Sequence, residues 1–79
     1  MNSIIVSDEY IPKSFRSKIG FAVKSFREQK GYSQDELAVL MKVNRSTISK
    51  IENGKFAVSI DYLERLSLFL DFDIQLQKL

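Results

Sequence analysis

The sequence predicts an all-α fold of four to five short helices that ends in one β-strand. Three observations carry this reading. Apolar residues recur at helical spacing through residues 15–26 and 60–70, the pattern of helices that bury one face. Hydroxyl and amide residues suited to helix starts, and glycines suited to helix ends, punctuate the stretches between. From Phe72 onward the apolar period becomes two, the repeat of a half-buried strand.

Residues 1–11, with Ile4, Ile5 and Val6 as their apolar run, are expected to form an arm or a short edge strand. Residues 12–71 form the helical domain, and 72–79 a C-terminal tail. Pro12 is placed to open the first helix, where its missing N–H costs nothing. Phe15, Ile19, Ala22, Val23 and Phe26 make that helix's apolar stripe, and Gly31 stops it. Ser33 and Glu36 have the spacing of a capping box, in which hydroxyl and carboxylate each take an orphan backbone N–H. Leu37, Ala38, Leu40 and Met41 are the apolar content of the second helix. Asn44 is an N-cap for a third helix that Gly54 ends, with Val43, Ile48 and Ile51 as its anchors to the core. Ser59 caps a fourth helix in which Leu63, Leu66 and Leu70 share a face, flanked by Ile60, Tyr62 and Phe69. In the tail, Phe72, Ile74 and Leu76 alternate with Asp73, Gln75 and Gln77. One strand cannot satisfy its own backbone groups, so it needs either the arm or its own copy from a second subunit. The second subunit is the favoured partner, which makes Phe72, Ile74 and Leu76 dimerisation residues.

Composition narrows the chemistry. Seventy-nine residues make one domain, and its small core needs well-packed helices or a partner. There is no cysteine and no histidine, so disulfides, thiolate metal sites and the commonest general base and metal ligand are missing together. No serine has a histidine to activate it, and Asp35 and Glu36 sit on a short helix with no visible pocket, so neither an enzyme nor a cofactor is expected. No apolar run approaches the roughly 20 residues that span a bilayer, and the opening lacks a basic signal region; a cytoplasmic protein is expected. Charge is uneven: Lys13 to Lys55 holds ten basic residues against four acids, a local +6, while the remainder is −4. That asymmetry suits a middle that faces a polyanion, although solvated helix faces would produce it too.

Residues 33–54, SQDELAVLMKVNRSTISKIENG, carry the functional signal. Two short helices joined by about four non-periodic residues, with small Ala38 inside the first, form a helix-turn-helix. Wound at 100° per residue, the second helix turns Thr47, Ile48 and Ile51 to one side. Arg45, Ser46, Ser49, Lys50 and Asn53 fall on the other. This outward face has no large apolar residue and several groups able to bond base edges or phosphates, as a helix in the major groove requires. A plain solvent face would share that polarity.

The run FREQKGYSQDELA followed by NRSTISKIENGK resembles the Xre/Cro/C1-type helix-turn-helix family, that of lambdoid phage repressors, many antitoxins and restriction controller proteins. The resemblance covers roughly residues 15–70 and implies a lambda-repressor-like DNA-binding domain. By it, Arg45, Ser46 and Lys50 match base-reading positions, and Ser49, which winding puts on the same face, is expected to read bases with them. Gln34 matches a phosphate-clamping glutamine, and Asn44, Asn53 and Lys55 match phosphate contacts at the recognition-helix ends. Ser33, Thr47 and Lys42, a lysine in the turn able to reach a phosphate, complete the phosphate set; helix N-termini suit phosphates independently. Arg27 and Glu52 match a structural salt bridge between the first helix and the recognition helix. Lys42 stands where the family usually has a turn glycine and is expected to be strained or to mark a different turn; Val58 replaces a frequent loop proline. The alternating tail resembles HipB-type antitoxins, whose tail strands pair across a dimer.

The expected function is sequence-specific repression of transcription by a homodimer on a palindromic operator. A free-standing domain with no ligand-sensing region points to autoregulation, as the antitoxin of a toxin–antitoxin operon with a cognate toxin as partner. The alternatives are a phage-type or restriction-controller regulator, and an interaction module that has lost DNA binding. The last predicts an apolar or acidic outward face on the third helix.

Overall fold

The computed structural model describes residues 2–7 and 15–77. The elements run β1 (Asn2–Ser7), α1 (Phe15–Gln29), α2 (Gln34–Met41), α3 (Arg45–Glu52), α4 (Ile60–Leu70) and β2 (Phe72–Gln77). Four helices and a C-terminal strand are thus present as expected, and Pro12 lies outside the described residues.

Local chemistry explains the boundaries. α1 ends where Tyr32 N–H bonds back to Arg27 O at 3.1 Å. At α2 the capping box is complete: Ser33 Oγ accepts from Glu36 N–H at 3.0 Å, and Ser33 N–H donates to Glu36 Oε1 at 2.8 Å. Those bonds favour the carboxylate, and they hold the Glu36 carboxyl below its ordinary range, the backbone bond from Ser33 being the larger cause. Ser59 caps α4 by accepting from Tyr62 N–H at 3.0 Å. Asn44 occupies the N-cap position of α3, yet its side chain makes no capping bond.

The core draws on every helix and on β2. Val23 and Phe26 from α1, Leu37 and Met41 from α2, Ile48 and Ile51 from α3, and Leu63, Leu66 and Leu70 from α4 are buried together with Phe72. Truncating an aliphatic side chain in such a site typically costs about 2–5 kcal/mol, through lost transfer energy and the cavity left behind. Phe15 and Leu40, counted in the apolar content of their helices, are instead 48% and 43% exposed. The crossing of α1 over α3 is unusually close. A Cβ on Gly20 would sit 2.3 Å from Ile51 O and 2.7 Å from Glu52 O, so only glycine lets the two backbones meet there.

β2 does not wait for a second subunit. It pairs in parallel with β1, from Asn2 opposite Phe72 to Ser7 opposite Gln77, so the arm, one of the two partners weighed, takes one edge of the strand. An arm tethered to the same chain reaches the strand at a far higher effective concentration than a separate molecule. The direction is parallel because the whole helical domain serves as the crossover. Phe72, expected among the dimerisation residues, is 3% exposed within the single chain, its ring centroid 5.0 Å from that of Phe26. Exposure then climbs along the strand, to 38% at Ile74 and 83% at Leu76. The turn into β2 needs a left-handed residue, Asp71 at φ 55°, whose carboxylate pairs with Lys30.

Candidate nucleic-acid interface

The site is a consequence of how α3 is seated. Ile48 and Ile51 are fully buried, and Thr47 and Ser49 flank them half-buried. Helical winding then leaves Arg45, Ser46, Lys50 and Asn53 exposed together on the far side. Lys42 and Asn44 stand exposed before the helix and Lys55 after it. Asn53 Nδ2 leans back to Ser49 Oγ at 3.4 Å, which ties the amide to the helix it follows. The expected base-reading set is therefore brought onto or beside one surface, with Ser49 set back from the others, and cations stand at both ends of it. Thr47, placed among the phosphate contacts, is turned partly toward the core.

Two backbone devices aim this surface. Lys42 takes the left-handed conformation, φ 58° and ψ 45°, so the strained form of the turn is the one adopted. It lets Val43 N–H reach back to Ala38 O at 3.0 Å and redirects the chain from α2 into α3. Ala38 is 3% exposed, as the close packing of α2 on α3 demands. At the other end, Gly54 at φ 72° lets Lys55 N–H bond to Lys50 O at 2.8 Å. A Cβ on Gly54 would come 2.8 Å from Ser17 Oγ and 3.0 Å from Ser17 Cα, so the exit of α3 is also pressed against α1.

Beneath the surface lies a charged brace. Arg27 Nε donates to Glu52 Oε2 at 2.6 Å and Arg27 Nη2 to Glu52 Oε1 at 3.0 Å, with side-chain exposures of 9% and 3%. The third arm of the guanidinium, Nη1, donates to Tyr32 O at 2.7 Å. One arginine thus joins α1, the α1–α2 turn and α3. The carboxylate bond holds the guanidinium above its already high ordinary range, against the opposing effect of burial. Gln34, expected at a phosphate, also joins this brace: its Nε2 donates to Glu52 Oε1 at 3.0 Å while the residue stays half-exposed at the start of α2. A primary amide has a second N–H to offer, so the same group can be fixed from inside and still face a phosphate. Ser33 is exposed, but its hydroxyl accepts the capping bond and its N–H is taken by Glu36.

Sequence reading missed two supporting residues. Arg65 of α4 donates from Nη2 to Met41 O at 2.7 Å, satisfying a carbonyl at the end of α2. Asp35 of α2 forms an ion pair with Arg45 Nε at 3.4 Å. Neither pairing has a local signature, because each joins different helices. Among the described residues no group of three or more acidic residues is arranged to hold a metal ion, and no helix is long and apolar enough to cross a membrane.

Comparison with known proteins places this geometry in context. The helix-turn-helix family model matches residues 23–77. The ImmF control region 10 kDa protein of Bacillus phage phi105 is 31% identical over 62 residues, covering 78% of this chain and 69% of that protein. The HTH-type transcriptional regulator SinR of Bacillus subtilis (strain 168) is 42% identical over 57 residues, 71% of this chain; the match spans about half of SinR (51%). Among solved structures, the restriction-modification controller protein C.AhdI from Aeromonas hydrophila superposes with a TM-score of 0.70 at 32% identity, covering 76% of this chain and 91% of that one. A buried Arg27–Glu52 brace, a capped α2 and an outward-facing basic α3 are thus found on a chain that belongs to the helix-turn-helix family of the Xre/Cro/C1 type.

Proposed function

We propose that the chain is a sequence-specific DNA-binding regulator that represses transcription as a homodimer on a palindromic operator. The observation that carries this is the division of α3. Its apolar residues Ile48 and Ile51 are buried, and Arg45, Ser46 and Lys50 are exposed on one face between the cations Lys42 and Lys55. A helix of this kind fits the major groove, where arginine or lysine pairs with guanine and short hydroxyls contact bases or backbone. Gln34, Asn44, Asn53 and Lys55 are assigned to flanking phosphates, with Lys42 and Ser33 beside them, and Thr47 a contributor through its half-exposed hydroxyl. The face is basic and hydroxylated, opposite to what an interaction module that had lost DNA binding would present.

Two recognition helices from a symmetric dimer reach half-sites whose centres lie about 34 Å apart, one turn of the duplex. The outer edge of β2, unpaired among the described residues, and the exposed side chains of Ile74 and Leu76 are the surface assigned to the second copy. Phe72 supports that surface from below. Similarity to a phage control-region protein and a restriction-modification controller protein favours a phage-type or restriction-controller regulator over an antitoxin. The antitoxin reading adds a toxin as partner, and co-purification with the product of the adjacent reading frame tests that addition.

Binding titrations at several salt concentrations, on a site selected from random DNA and on unselected DNA, test the proposal. The selected site is expected to bind roughly 10³–10⁷-fold more tightly. Equal affinity for both would reduce the protein to a non-specific binder, and no affinity for either would leave an interaction module.

A further inference from the structure

We infer that Asp35 is a positioning residue that sets how Arg45 meets a base, an inference that rests on the proposed reading of Arg45 as a base contact. Asp35 lies in the first turn of α2 and Arg45 is the first residue of α3. Their side chains pair at 3.4 Å between Asp35 Oδ1 and Arg45 Nε, with exposures of 74% and 65%. The pairing atom is the informative part. A guanidinium can present a fork through Nε and one Nη, or through its two terminal nitrogens. With Nε facing Asp35, the contact engages the side-on edge of the guanidinium and leaves its two terminal nitrogens to pair elsewhere. That end-on fork matches the two acceptors, O6 and N7, that guanine shows in the major groove.

In the free protein both groups are solvated, and such a pair does little for folding. Once α3 lies in the groove, water is excluded and the same contact strengthens. A carboxylate near the phosphates is also a cost for binding any DNA. Asp35 therefore trades general affinity for discrimination, because it restrains a long flexible side chain to one approach. This opposition of signs separates positioning from a merely structural role, which would lower both quantities together.

The test uses the intact chain and sites selected from randomised duplex DNA. Arg45→Ala should erase a guanine preference at one position of each half-site. Asp35→Asn should leave the rest of the selected site unchanged and weaken that guanine preference about tenfold, within the range a bidentate base contact supplies. Its affinity for unselected DNA should hold or rise a few-fold. Asp35→Glu, which keeps the carboxylate, should restore most of the preference. In the Arg45→Ala background, Asp35→Asn should have no effect on base preference. If Arg45→Ala erases the guanine and Asp35→Asn does not weaken it, the positioning role is wrong while the reading face stands. If Arg45→Ala alters no position, the assignment of Arg45 fails and the inference fails with it. Loss of affinity by Asp35→Asn on all DNA alike would assign Asp35 to stability alone.

Discussion

Arg27 and Glu52, twenty-five positions apart, face each other through two bonds of 2.6 and 3.0 Å beneath the outward surface of α3. Neither residue reaches the outward surface, yet together they fix its tilt against α1. Glu52→Ala is expected to destabilise the fold by about 3–5 kcal/mol, because it leaves a guanidinium buried without its counter-charge. Urea denaturation should show the loss as a lower midpoint with little change in slope. Double replacement of Arg27 and Glu52 by apolar residues of similar volume should recover much of it.

Lys42 combines backbone strain with a useful charge. Lys42→Gly is expected to stabilise the fold by about 0.5–1 kcal/mol, since glycine accepts the left-handed turn without penalty. The same change should weaken binding to all DNA sequences and flatten the salt dependence by about one charge. Thermal melting and a salt titration on one variant would read the two opposite effects.

Gly20→Ala should be among the most damaging single-methyl changes in the chain. The added carbon meets backbone oxygens of Ile51 and Glu52 rather than movable side-chain ends, so α1 must shift away from α3. A cost of about 1–3 kcal/mol is expected from overpacking, together with weaker operator binding as α3 tilts. A melting temperature equal to the parent's would show that the crossing is looser than its geometry states.

The capping box predicts a pH dependence. Glu36 has a lowered pKa in the folded chain because Ser33 bonds favour its charged form. Its contribution is therefore present at neutral pH and is lost as the pH falls below about 4.3, the ordinary glutamate value, through the lower folded value. Stability curves of the parent and Glu36→Gln, measured from neutral to acid pH, should converge at the acid end.

Much of this arrangement was legible in the sequence because it is local. The capping box, the stripe of Val23 and Phe26, and the two-sided winding of α3 each follow from residues within a few positions of one another. The brace came from resemblance, since nothing in spacing alone joins Arg27 to Glu52. What escaped was set by distant packing. Gly20 offered a faint signal as a costly residue inside a helix, but its reason is another helix's backbone. The alternation of Phe72, Ile74 and Leu76 revealed a strand and not its partner, because both candidate partners satisfy the same pattern. Asp35 and Arg65 act across helix pairs, and no periodicity marks them.

The central claim is that the outward side of α3 reads DNA, and Lys50 sits within it. The most direct measurement compares Lys50→Ala and Lys55→Ala on the selected operator and on single-base variants of it. Lys50→Ala should lose about 1–3 kcal/mol of binding and relax preference at one base pair, while Lys55→Ala weakens every sequence alike. Unchanged operator affinity and unchanged base preference in Lys50→Ala would contradict the account.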